Sequence, residues 1–60
     1  MNKVEAIKRT AFRFHDPAIA EAFVGRSPRP MRQVLGDDET IWVIEPADAQ
    51  KLERLGFEIV

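Results

Sequence analysis

The chain has no cysteine and no tyrosine, and it has one histidine, His15. Without cysteine, no disulfide and no thiolate metal site can form. A lone histidine cannot build a multi-histidine centre. The three glycines, Gly25, Gly36 and Gly56, are scattered singly, so no glycine-rich loop is present to cradle a phosphate. No apolar run approaches the roughly 20 residues that span a bilayer. The opening Met-Asn-Lys-Val-Glu-Ala leads into no secretory h-region. Taken together, these absences predict a cytoplasmic protein without metal or cofactor, since a cysteine-free chain suits a reducing compartment.

What is present is 60 residues, enough for a single domain over residues 1–60. A chain of this size buries only about 60% of its unfolded surface, so its stability is marginal. Small domains usually lean on disulfides, metals or association. With the first two excluded, association or unusually good packing remains. The net charge is −1, but it is unevenly spread. Residues 1–36 carry +4, and residues 37–60 carry −5. Such asymmetry points to a charged partner, or to two halves that neutralise each other on folding.

The C-terminal third organises the rest. Thr-Ile-Trp-Val-Ile-Glu, residues 40–45, is mostly β-branched or aromatic and reads as a strand. Pro46 suits a helix start, and Asp48 meets the positive end of the helix dipole. Ala49, Leu52 and Leu55 form an apolar stripe, Gly56 supplies a left-handed stop, and Phe-Glu-Ile-Val closes as a strand.

Residues 3–14 fit two periods. As a strand, Val4, Ala6, Thr10, Phe12 and Phe14 share a face. As a helix, Val4, Ile7, Ala11 and Phe14 form a stripe, with Asn2 and Glu5 imitating a capping box. Thr-Ala-Phe-Arg-Phe favours the strand, which is the expectation here. Asp16 and Pro17 then start a helix of about two turns, with Ala18, Ile19, Ala22 and Phe23 as its apolar face and Gly25 as its end. Arg26-Ser-Pro-Arg-Pro-Met-Arg32 follows, a connector stiffened by two prolines and bearing three arginines.

Residues 31–35 and 40–44 read as a hairpin that turns at Gly-Asp-Asp-Glu. Setting Gly36 opposite Glu39 pairs Val34 with Ile41, Gln33 with Trp42 and Met31 with Ile44. One face then holds Arg32, Val34, Ile41 and Val43, and the other Met31, Gln33, Leu35, Thr40, Trp42 and Ile44. Both faces are apolar, unlike an ordinary half-buried hairpin. Two helices on one face leave the other for the N-terminal segment or for another chain.

Catalytic groups are few. Ser27, Thr10 and Thr40 are the available hydroxyls, with His15 the sole candidate base, and Asp16 is explained as a cap. Asp37, Asp38 and Glu39 lack the spaced acids of a calcium loop and read as a solvated turn. No enzymatic activity is expected.

The expectation is therefore a small α+β domain. It has a mostly antiparallel sheet, two short helices on one face and the order β-α-β-β-α-β, as in ferredoxin-like split βαβ domains. The closing strand–helix–strand, about a third of the chain, loosely resembles the ends of small phage-type accessory proteins, a likeness that gives no residue a role. The functional expectation is a non-catalytic module acting by protein–protein contact, as a homodimer or an accessory factor. Its interface would join Trp42, Ile44, Met31 and Leu35 to Arg26, Arg29 and Arg32. The alternative is nucleic-acid binding through those arginines with Lys8, Arg9 and Arg13, and with Phe12 and Phe14 stacking on bases.

Overall fold

The helical period wins at the N-terminus. In the computed structural model, which describes residues 2–60, helix α1 runs Lys3–Thr10. Asn2 caps it, accepting the Val4 N–H at 2.9 Å. Glu5 in the first turn and Lys8 and Arg9 in the last suit the helix dipole. Ile7 is buried, with Val4 and Ala11 packed beside it, whereas Ala6 and Thr10, inward in the strand reading, are exposed. The strand expectation survives only in β1, Phe12–Phe14.

Helix α2 spans Pro17–Arg26, capped by Asp16, whose carboxylate accepts the Ala18 N–H at 2.9 Å. It continues through Gly25 rather than ending there. Ser27 closes it by donating its hydroxyl to the Phe23 carbonyl and its N–H to the Val24 carbonyl. Its inward residues are Ala20, Phe23 and Val24; Ala18, Ile19 and Ala22, expected to be apolar contacts, are exposed. Strands β2 (Arg32–Leu35) and β3 (Ile41–Ile44), helix α3 (Pro46–Arg54) and strand β4 (Glu58–Ile59) complete the chain. In α3, Ala49 and Leu52 are buried; Leu55, just past its end, is exposed, and Gly56 takes the left-handed φ of 101° that stops the helix.

The α+β class and the antiparallel four-stranded sheet stand as expected, and the order from β1 onward is β-α-β-β-α-β, with α1 added in front. The sheet order is β1-β3-β2-β4, with every neighbouring pair antiparallel. Strands β1 and β2 are thus parallel to each other across β3, and β3 and β4 are parallel across β2. The two crossovers step the same way across the sheet from strands of opposite sense, so right-handed connections send their helices to opposite faces. Helices on a single face would need the second crossover to step back past β1. Helix α2 accordingly lies on Ile41 and Val43, while α1 and α3 lie on Val34, Trp42 and Ile44. The two-helices-on-one-face arrangement is therefore corrected: the chain covers both sides itself, and all four β3 residues are buried.

The hairpin register also differs by one residue. The Gly36 N–H donates to the Thr40 carbonyl at 2.9 Å, which leaves Asp37, Asp38 and Glu39 as a three-residue loop, with Glu39 in the left-handed region at φ 65°. Val34 now faces Trp42, Gln33 faces Val43 and Arg32 faces Ile44. A one-residue slip moves every β2 side chain to the other face. The cause lies in the turn. Asp38 is tied to Thr40 and Trp42, and the Trp42 indole lies where a Cβ on residue 36 would be, so Gly36 is required there by a close approach.

Candidate interaction surface

The acidic turn is not simply solvated. One carboxylate oxygen of Asp38 accepts the Thr40 N–H at 3.1 Å, the Thr40 hydroxyl, and the Trp42 indole N–H at 3.0 Å. The other faces Arg13 at 3.4 Å and Lys8 at 3.8 Å. Donation by the Thr40 hydroxyl, against the opposing effect of burial, holds the carboxyl far below the usual carboxylate range; Trp42, the Thr40 N–H and Lys8 add to it. Lys8 also reaches Asp37 at 3.5 Å and sits 5.6 Å from the centre of the Trp42 ring. With Arg29 facing Glu45 at 3.8 Å, the basic and acidic halves of the chain neutralise part of each other. The sequence signal for Asp38 was its spacing to Thr40 and Trp42, two and four residues on; residue type alone suggested a solvated acid.

The predicted interface is split by the register. Trp42 is 0% exposed and Ile44 is buried beneath α1 and α3, so neither presents a surface. Trp42 packs on Phe57 at 5.6 Å between ring centres. Met31 lies on the opposite, α2 side. Leu35, across from Ile41, shares that side and is 44% exposed. Arg26, Arg29 and Arg32 are all exposed. Arg26 ends α2, however, while Arg32 leaves the sheet on the face of Ile44, so the three do not form one strip.

No protein-family model, curated protein or solved structure matches the chain.

One region of the surface stands apart. Phe12 is 51% exposed and Ile19 55%. Phe23 bridges from α2 to β1, with ring centres 4.7 Å from Phe12 and 5.3 Å from Phe14. Ile19 is one turn before Phe23 and Arg26 one turn after, so helical spacing sets all three along the β1 flank of α2. Strand β1 is an edge of the sheet. Its backbone can be followed from the turn. Gly36 and Thr40 are a hydrogen-bonded pair, so by alternation Trp42 bonds towards β2 and Ile41 and Val43 bond towards β1. Phe12 and Phe14 answer Val43 and Ile41, which turns the Arg13 N–H and C=O outward. An open depression lined by Ala11, Phe12, Arg13, His15, Asp38 and Thr40 runs along this edge.

The hydroxyls are otherwise engaged. Thr10 donates to the Ile7 carbonyl, Ser27 to the Phe23 carbonyl and Thr40 to Asp38. Among the described residues, no cluster of three histidine or acidic side chains is placed to hold a metal ion, and no helix is long and apolar enough to cross a membrane.

Proposed function

We propose that the chain is a non-catalytic binding module that works through protein–protein contact, as a small accessory factor. One observation carries the reading: two half-exposed apolar side chains, Phe12 on β1 and Ile19 on α2, flank a strand edge whose outward backbone groups form no hydrogen bond among the described residues. Natural edges are usually blunted or covered, and contiguous exposed apolar surface marks interaction sites. The core closes without another chain, so this chain meets its partner already folded. The nucleic-acid alternative gains exposed arginines and Phe12. It loses the continuous basic strip, since Arg26 and Arg32 leave from opposite faces and Arg29 already faces an acid.

The test is photo-crosslinking in cells, with p-benzoylphenylalanine in place of Phe12 and, separately, in place of Gln50, which is exposed on the far helix α3. Discrete protein adducts from position 12 and none from position 50 are expected. Equal adducts from both positions, or none from either, would remove the reading.

A further inference from the structure

We draw no further inference here: the strongest candidate, the open β1 edge of the sheet between Phe12 and Ile19, carries none, because Arg13 beside it is already paired with Asp38 and nothing in the structure shows what covers the edge.

Discussion

Asp38 ties the β2–β3 turn to helix α1 and strand β1. It fixes the turn through Thr40, anchors the indole of Trp42, and receives Lys8 from α1 and Arg13 from β1. Its carboxyl is held well below the ordinary value of about 4. The sign of the pH effect follows. A depressed folded-state pKa stabilises fully above the unfolded value, and that stabilisation is lost as pH falls from there towards the folded value. Asp38→Asn should therefore cost about 1–3 kcal/mol at neutral pH, the scale of losing hydrogen bonds to a charged, partly exposed carboxylate. It should also flatten the fall in stability below about pH 4. Denaturant melts of both proteins across that range check this; parallel pH profiles would show that another carboxylate dominates.

Helix α1 is held to the rest of the fold by few buried side chains. Eight residues are ordered, at roughly 1–2 kcal/mol each in backbone entropy, yet Ile7 is its only buried side chain, a gain of about 1.5–3 kcal/mol. The Lys8 pairs with Asp37 and Asp38 are partly solvated and individually small. The α1 amides should therefore exchange through an opening cheaper than global unfolding. Lys8→Glu should speed their exchange about threefold to tenfold while β3 is unchanged, as expected for losing contacts of this size. Native-state hydrogen exchange read by NMR decides; equal rates in α1 and β3 would make α1 part of the global unit. The same element marks the limit of the sequence. Strand β3, the Asp16-Pro17 start of α2, and α3 with its Gly56 stop are legible because cap, dipole and apolar period agree there. Residues 3–10 satisfy two periods at once, and the decision comes from the sheet face left bare by α3. The hairpin register was equally undetermined. Two- and three-residue turns both fit Gly-Asp-Asp-Glu, and the choice depends on an indole reaching back over Gly36. A register set by turn residues alone thus puts Trp42 and Leu35 on one surface, whereas they lie on two.

At the scale of the whole molecule, the radius of gyration of 10.5 Å is what about 60 folded residues should have on their own. Closure comes from distributing three helices over both faces of a small sheet. The margin is thin: a domain this size holds roughly 3–9 kcal/mol in total. Leu52, fully buried among Val34, Trp42 and Ala49, fills the larger core, and Leu52→Ala should remove about 2–5 kcal/mol. A thermal melt should show most of the cooperative transition lost at 37 °C; near-native melting would place Leu52 outside the stabilising core. The single tryptophan, unaccompanied by tyrosine, has a separate consequence. Almost all ultraviolet emission of this protein originates in one ring sealed on the α1–α3 side. Wetting of that side will redden the emission, whereas occupation of the β1–α2 flank will leave its colour alone. The molecule thus carries a built-in optical gauge that distinguishes events on its two sides without any label.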